Sequence, residues 1–378
     1  MADHVVATSD ELFELSLART LKTIGNAYFG LTEYDENDDT DNVFDFKIDR
    51  SLLIDPRGIV YGAEIGEGPH SIVYEGVYES MLVAVKVIQP NRTSDVSFEC
   101  KENFQREVTL LSRMKHENIV KFIGASVEPS MLIITELMKG GTLHKYLLSI
   151  RPNTLDLKLS ISFALEISQV MEYLHANGII HRDLKPSNLL LTEDKKRIKL
   201  ADFGLAREEI SGEMTTEAGT YRWMAPELFS LEPLPSGAKK LYDHKVDVYS
   251  FSIVLWELLT NNTPFKGRNN LMVAYATARN ERPSIQDLPK DLVHLLESCW
   301  AEDPKFRPEF MEITDFLHNF CSMLTTPPKV VEIEDPKSDM KVESASTGHL
   351  MNKHDEKGKK RKSLSPSFFP CFEDCLSD

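Results

Sequence analysis

The sequence predicts an α+β fold in two lobes, a small β-rich N-lobe with one major helix and a larger helical C-lobe. Two patterns of apolar spacing and one polar stretch carry that expectation. Between Arg57 and Glu136 the apolar residues come in short runs bounded by glycines and polar turns, the habit of strands. From Thr142 onward they recur at helical spacing. Within the second region, Ile179 to Gly204 reads IIHRDLKPSNLLLTEDKKRIKLADFG. Its apolar run Leu189 to Leu191, charged turn Glu193 to Lys196 and alternating Ile198 and Leu200 predict a hairpin that brings Asp183, Asn188 and Asp202 to one edge.

The totals set the class. The 378 residues suffice for two lobes with a sizeable core, and 42% hydrophobic with 27% charged content fits a globular protein. A formal charge of −16 argues against nucleic acid as a partner, because a polyanion is repelled. No run approaches the ~20 apolar residues that span a bilayer. The start, MADHVVATSDELFEL, lacks the basic region and apolar core of a secretory signal. Cys100, Cys299, Cys321, Cys371 and Cys375 form neither a CxxC pair nor a disulfide-like framework, so the expected compartment is the cytoplasm, with the nucleus as an alternative.

Residues 1–56 read as an acidic extension. Thr8 and Glu11 form a capping box, and Phe13, Leu17, Leu21 and Ile24 then share one helical face. Such a helix packs on the folded domain or docks a regulator; the first reading is preferred. Asp35 to Asp41 (DENDDTD) is a solvated acidic run.

The domain proper is expected over residues 57–324, its N-lobe over 57–138 and its C-lobe over 139–324. Ile59 to Ile65, Ile72 to Val77 and Met81 to Ile88 predict three strands. Between the first two lies Gly66-Glu67-Gly68-Pro69-His70-Ser71, a loop whose glycines let backbone N–H groups approach a phosphate. Ser71 stands where a third glycine would complete GxGxxG, and the loop leads to a strand, which argues against a dinucleotide-binding turn. Val83-Ala84-Val85-Lys86 strengthens the signal, with Lys86 placed to hold the phosphates of ATP. Phe98 to Lys115 predicts a helix with Phe104, Val108 and Leu111 inward and Glu107 able to face Lys86.

Ile119 to Ser126 and Met131 to Glu136 predict two more strands, and Glu136-Leu137-Met138 a hinge whose backbone reads adenine, with Thr135 behind it. The residues expected to bind the nucleotide, in line with the family resemblance given below, are Ile65, Gly66, Gly68, Ser71, Val73, Ala84, Lys86, Thr135, Glu136, Met138 and Leu190.

Helices follow at Leu143 to Ile150, Leu155 to Asn177, Asp247 to Thr260, Asp291 to Cys299 and Met311 to Leu324. The Asp247 helix is apolar almost all round, as a buried helix is. Asp247 itself could hold the HRD loop by hydrogen bonds. Ser252 could bond a backbone carbonyl within that helix. Arg307 is placed to pair with Glu227.

The chemistry concentrates in the polar stretch. Asp202 and Asn188 are acceptors able to hold Mg²⁺, with Mn²⁺ as an alternative; Asp183 can receive a hydroxyl proton; Lys185 can neutralise phosphate. These are the parts that phosphoryl transfer requires. Leu205 to Glu227 carries Ser211, Thr215, Thr216 and Thr220 before Ala225-Pro226-Glu227, and Arg182 supplies a cation for a phosphate on that segment. Ser211, Thr215 and Thr216 are the candidate acceptors there, through autophosphorylation or an upstream kinase.

Residues 325–378 read as a disordered linker and tail. Lys357 to Lys362 (KGKKRK), followed by Phe368, Phe369, Phe372 and two cysteines, could serve import machinery, an anionic membrane or thioacylation, or remain solvated. Ser363 and Ser365 are plausible phosphosites.

From about Arg57 to Leu324 the chain resembles the eukaryotic protein kinases: glycine loop, Lys86, Glu107, HRDLKPSN, DFG, APE, Asp247 and Arg307 occur in order. Lys185 within HRDLKPSN resembles the serine/threonine kinases. GTYRWMAPE and DVYSFSIVLWELLT resemble the tyrosine-kinase-like branch, and LIDPRGIVYGAEIGEGPHSIVYEGVY with HANGIIHRDLKPSNLLLT is similar to the plant Raf-like kinases. The resemblance implies the two-lobe kinase fold and ATP- and Mg²⁺-dependent phosphorylation of protein hydroxyls. Dual specificity toward Tyr, and a scaffold without transfer, are the alternatives. A scaffold usually loses the Lys, the catalytic Asp or the metal Asp, and all three are present.

Overall fold

The computed structural model describes residues 44–68, 70–88, 97–208, 221–229 and 242–325. The chain divides into two units, Met1–Pro327 and Pro328–Asp378. The second unit, with the basic cluster, Ser363 and Ser365, lies outside the described residues, as do the helix expected at Phe13 to Ile24 and the acidic run after it.

The N-lobe is a five-stranded antiparallel sheet, as expected: β1 (Ile59–Gly68), β2 (Ser71–Tyr78), β3 (Met81–Ile88), β4 (Phe122–Ser126) and β5 (Leu132–Glu136), in the order β1-β2-β3-β5-β4. Period-two alternation sorts its side chains. Val83, Val85, Leu132 and Ile134 pack with Ile59 into one small core, covered by Ile54 and Ile123. The alternate positions Ala84 and Lys86 pair with Thr135 and Ile133 on β5, and Val73 pairs with Lys86. Val73, Ala84, Lys86 and Thr135 thus share the opposite face.

Helix α1 (Phe98–Arg113) lies across the lobe, its N-terminus capped by Ser97, whose Oγ accepts from Cys100 N–H at 3.3 Å. Phe104, Val108 and Leu111 are buried, as their spacing predicts, and join Ile133 in the large core.

The C-lobe is built from α2 (Leu143–Ile150), α3 (Leu157–Ala176), α4 (Lys245–Thr260), α5 (Asn270–Ala278), α6 (Lys290–Cys299) and α7 (Phe310–Thr325). Helix α4 is buried from Lys245 through Leu258, which accounts for its nearly uniform apolar sequence. Two hydroxyls are absorbed there by carbonyls: Ser252 donates to Tyr249 O at 2.6 Å, and Ser160 of α3 donates to Leu258 O at 2.9 Å. The hairpin of β7 (Leu189–Leu191) and β8 (Ile198–Leu200) pairs Leu189 with Leu200 and Leu191 with Ile198. A short pair, β6 (Ile179–Ile180) and β9 (Arg207–Glu208), closes the segment between them.

Several boundaries differ from the sequence reading, each for a local reason. The glycine stretch is not a loop from Gly66 to Ser71, because the β1–β2 ladder runs through it, pairing Gly66 with Val73 and Gly68 with Ser71. Strand β4 starts at Phe122, since Ile119 turns back on His116 O and makes only an isolated bridge to Leu200. Helix α3 starts at Leu157 because Asp156 caps it, accepting from Leu159 N–H at 3.2 Å. The folded body also takes in residues before Arg57: Phe46, Ile48 and Leu52 pack against the large core. No described helix is long and apolar enough to cross a membrane.

Candidate active site

Lys86 reaches from the middle of β3 to two carboxylates. Its Nζ lies 2.8 and 3.0 Å from the two oxygens of Glu107 on α1, and 2.9 Å from Asp202 Oδ1 beyond β8. Burial works against its charge, but Asp202 and Glu107 outweigh burial and raise the pKa of Lys86. At Asp202 burial likewise opposes ionisation; the Lys86 charge and hydrogen bond, then Lys185 and the Gly204 N–H, hold the carboxyl down to about 2. Asp202 keeps 45% of its side chain exposed, so this anion is open to a cation from the cleft.

Asp202 has a φ of 63°, in the left-handed region that non-glycine residues adopt uncommonly and Asp more readily than most. Phe203, fully buried with its ring 5.4 Å from that of His181, anchors the next position.

Asp183 forms a second cluster. Lys185 Nζ is 2.6 Å from its Oδ2, and Asn188 Nδ2 donates to the same oxygen at 2.8 Å and to Asp183 O at 2.9 Å. With the amide nitrogen committed to Asp183, the atom of Asn188 that can bind a metal is its oxygen. Ala201 N–H donates to Asn188 O at 2.9 Å, which joins this loop to the segment carrying Asp202. Among the described residues no group of three or more His, Cys, Asp or Glu could hold a metal by itself. A donor set of one carboxylate and one amide oxygen suits Mg²⁺, which keeps waters and takes phosphate oxygens to fill its shell.

The loop is held from below by Asp247 at the start of α4. Its carboxylate accepts from the N–H groups of His181 and Arg182, both at 2.8 Å, and meets His175 Nε2 at 3.0 Å. Burial raises its pKa, but the contacts with His175 and His181 reverse the shift and lower it. His175 is a residue that the sequence reading missed; it was hidden in the last turn of an amphipathic helix.

The hinge residues fall at the end of β5. Glu136 N–H donates to Lys121 O at 2.9 Å, and the Glu136 side chain turns away to accept from Lys121 N–H at 2.7 Å and Lys199 Nζ at 2.6 Å. Met138 O accepts from Gly141 N–H at 3.2 Å. Beyond them Gly140 N–H donates to Leu191 O at 3.0 Å, an approach so close that a Cβ would strike the Leu191 and Thr192 carbonyls. Leu190 is half-buried and bridges Thr142.

Across the cleft Ile65 is exposed, and Lys145 Nζ donates to its carbonyl at 3.1 Å. Gly66, Val73 and Lys86 stand in one row across β1, β2 and β3. A Cβ at Gly66 would make only an ordinary contact, 3.9 Å from Val73 Cβ, so packing within the sheet does not require glycine there. Glycine at that position leaves room for whatever approaches from the cleft.

Arg182 is nearly buried, has a positive φ of 70° and lies with Cζ 5.4 Å over the Tyr242 ring. The expected phosphate acceptors Ser211, Thr215 and Thr216, and Thr220, lie outside the described residues.

Residues 59–317 match the family profile described as protein tyrosine and serine/threonine kinase. Among curated relatives, the chain is 43% identical over 264 residues to serine/threonine/tyrosine-protein kinase HT1 of Arabidopsis thaliana, covering 68% of this chain and 65% of that one. It is 39% identical over 269 residues to serine/threonine-protein kinase STY17 (70% of this chain, 45% of that one) and 40% over 272 residues to STY46 (71% and 45%), both of Arabidopsis thaliana. The chain thus spans about two thirds of the first relative and less than half of the other two. The profile covers more than half of the sequence and encloses every residue of the Lys86 and Asp183 clusters, so the chain belongs to the protein tyrosine and serine/threonine kinases.

Proposed function

We propose that the protein transfers the γ-phosphate of ATP to Ser and Thr hydroxyls of protein substrates, with Mg²⁺ bound by Asp202 and Asn188. The observation that carries this reading is the Lys86 ammonium held between Glu107 and Asp202, beside a second cluster in which Asp183 meets both Lys185 and Asn188. Glu136 N–H and Met138 C=O are bonded within the chain, which supports the Met138 N–H and the Glu136 carbonyl, met only by Thr135 Oγ1 at 3.4 Å, as the groups that would meet the adenine edge. Val73, Ala84, Thr135 and Leu190 would sandwich the base, and the Gly66 to Gly68 backbone would cover the phosphates.

Asp183 orients the substrate hydroxyl and takes its proton as the new oxygen–phosphorus bond forms and the bond from the γ-phosphorus to the β,γ-bridging oxygen breaks, releasing ADP. Lys185 steadies the transferred group and Lys86 the remaining phosphates. Mg²⁺, when bound, neutralises charge building on the phosphate oxygens. Most of the acceleration is positioning and charge stabilisation, since this transfer needs little covalent help.

Lys185 within HRDLKPSN, the form that resembles the serine/threonine kinases, supports Ser and Thr as acceptors. The name of the relative HT1 adds tyrosine, and this supports a dual-specificity variant of the same reading. The cysteine spacing, which forms neither a CxxC pair nor a disulfide-like framework, supports a reducing cytoplasm as the compartment. Activation through Ser211, Thr215 or Thr216 is part of the proposal, by the protein itself or by an upstream kinase.

The test is incubation of purified protein and of Asp183→Asn with Mg·ATP and peptides bearing Ser, Thr or Tyr, followed by phosphosite mapping. Transfer to Ser and Thr that falls at least ~10²-fold in Asp183→Asn supports the reading. Equal incorporation by the two proteins would overturn it.

A further inference from the structure

Residues 44–54 run along the N-lobe upstream of the segment that the family profile covers, and they touch both the sheet and the helix that carries Glu107. Phe44 meets the Phe98 ring edge-on at 5.0 Å, and Phe46 meets the Phe104 ring edge-on at 5.9 Å. The two upstream rings also lie edge to face, 4.8 Å apart. Beside the second of these contacts, Lys47 N–H donates to Gln105 Oε1 at 2.5 Å, so a side chain of α1 grips the backbone of the segment.

The other end is fixed to the sheet. Leu53 forms a parallel bridge to Ala125 on β4, and Ile54 N–H donates to Ala125 O at 2.9 Å. Ile54 fills the space over Gly124, where even a methyl group would collide with it. Phe44, Phe46 and Ile48 are half-buried while Asp45, Lys47 and Asp49 are exposed, the alternation of an extended chain lying on a surface.

Phe104 and Glu107 are three residues apart on α1, hence neighbours along one side of the helix. A roll of α1 that frees Phe104 from Phe46 also swings Glu107 away from Lys86. We infer that residues 44–54 form a strap that holds α1 where Glu107 meets Lys86, with Phe46 as a positioning residue for phosphoryl transfer. The inference rests on the kinase reading for its effect on rate, though not for its effect on the helix. The ring partners of Phe46 are Phe44 and Phe104, neither of them assigned to ATP, metal or hydroxyl. It acts through Phe104 and Glu107.

The test uses the full chain as wild type, Phe46→Ala, Phe46→Leu, Glu107→Gln and the double variant Phe46→Ala/Glu107→Gln. Each is read by phosphotransfer and by amide hydrogen exchange. The strap predicts that Phe46→Ala speeds exchange across residues 98–113 about tenfold while residues 245–260 exchange as before. It predicts a fall in kcat/KM of about tenfold, mostly restored by Phe46→Leu, and a double variant no worse than Glu107→Gln alone.

A stabilising contact with no positioning role would leave the losses of Phe46→Ala and Glu107→Gln to multiply. That result, or unchanged exchange over residues 98–113, overturns the proposal. Should Phe46→Ala fail to fold, Phe44→Ala and Gln105→Leu loosen the same strap more mildly and carry the same comparison. Should the wild type transfer no phosphate, the kinase reading fails and the exchange measurement alone decides the strap.

Discussion

Arg307 and Glu227 meet as a two-pronged ion pair across 80 residues of sequence, with Nη1 2.6 Å from Oε1 and Nη2 2.8 Å from Oε2. The arginine side chain is fully buried, and its remaining donors are also engaged: Nε reaches Ala301 O at 2.9 Å, and Nη1 reaches Lys245 O at 3.0 Å. The pair fastens the Ala225-Pro226-Glu227 turn to the segment before α7. Arg307→Ala leaves a carboxylate and several carbonyls without partners, at an expected cost of ~3–5 kcal/mol in urea unfolding. Arg307→Lys is expected to recover little, because one ammonium cannot reproduce the guanidinium fork.

Asp202 gives a pH dependence with a definite sign. Its folded pKa of about 2 lies below the ordinary 3.8, so its ion pairing stabilises the fold above about pH 4 and is lost as pH falls from 3.8 toward 2. Asp202→Asn removes that titration, and its urea midpoint should fall less than the wild type's between pH 5 and pH 3. The same variant loses the carboxylate proposed for Mg²⁺, so phosphotransfer at pH 7 is expected to fall by at least ~10² at any Mg²⁺ concentration.

Legibility in the sequence followed how local the determinant was. The β7–β8 hairpin was legible because an apolar run and an alternating run flank a charged turn, and the Phe104, Val108, Leu111 stripe because one helix contains all of it. Lys86, Glu107 and Asp202 come from three separate elements and were brought together in advance only by the motif pattern. The strap was missed, although Phe44-Asp45-Phe46-Lys47-Ile48-Asp49 alternates perfectly. The acidic run Asp35 to Asp41 just before it, read as solvated, drew attention away from the alternation. Helix α5 was missed because its sequence, NLMVAYATA, lacks a polar face, and the β6–β9 pair because two-residue strands carry no period.

Glu257 predicts the opposite pH behaviour. It is buried in α4, where burial raises its pKa to about 7 against the Trp223 hydrogen bond at 2.8 Å and the more distant Arg151, 3.9 Å away. An unfolded Glu ionises near 4.5, so the buried carboxyl stabilises the fold least above pH 7, and stability declines as pH rises from about 4.5 through 7. Glu257→Gln keeps an acceptor for Trp223 Nε1 and has no charge to bury. It should lose the part of the decline that Glu257 contributes over that interval, with a gain on the order of 2 kcal/mol over wild type at pH 8. A wild-type slope that survives in Glu257→Gln would assign the titration to another group.

Gly140 and Gly141 stand side by side at the end of the hinge and should respond differently to the same substitution. A Cβ on Gly140 would lie 2.6 Å from Leu191 O and against the Thr192 carbonyl, both of them backbone that can move only with β7. A Cβ on Gly141 meets nothing within 4 Å, though its φ of +73° strains any side chain. Gly141→Ala therefore carries a conformational cost of ~1 kcal/mol without displacing the hinge. Gly140→Ala must push the hinge off β7, breaking the 3.0 Å bond from Gly140 N–H to Leu191 O and moving Met138 relative to Leu190. The expected result is a KM for ATP raised about tenfold in Gly140→Ala and nearly unchanged in Gly141→Ala. Equal KM values would mean that the clamp on Leu191 does not set the distance between the hinge and the floor of the cleft.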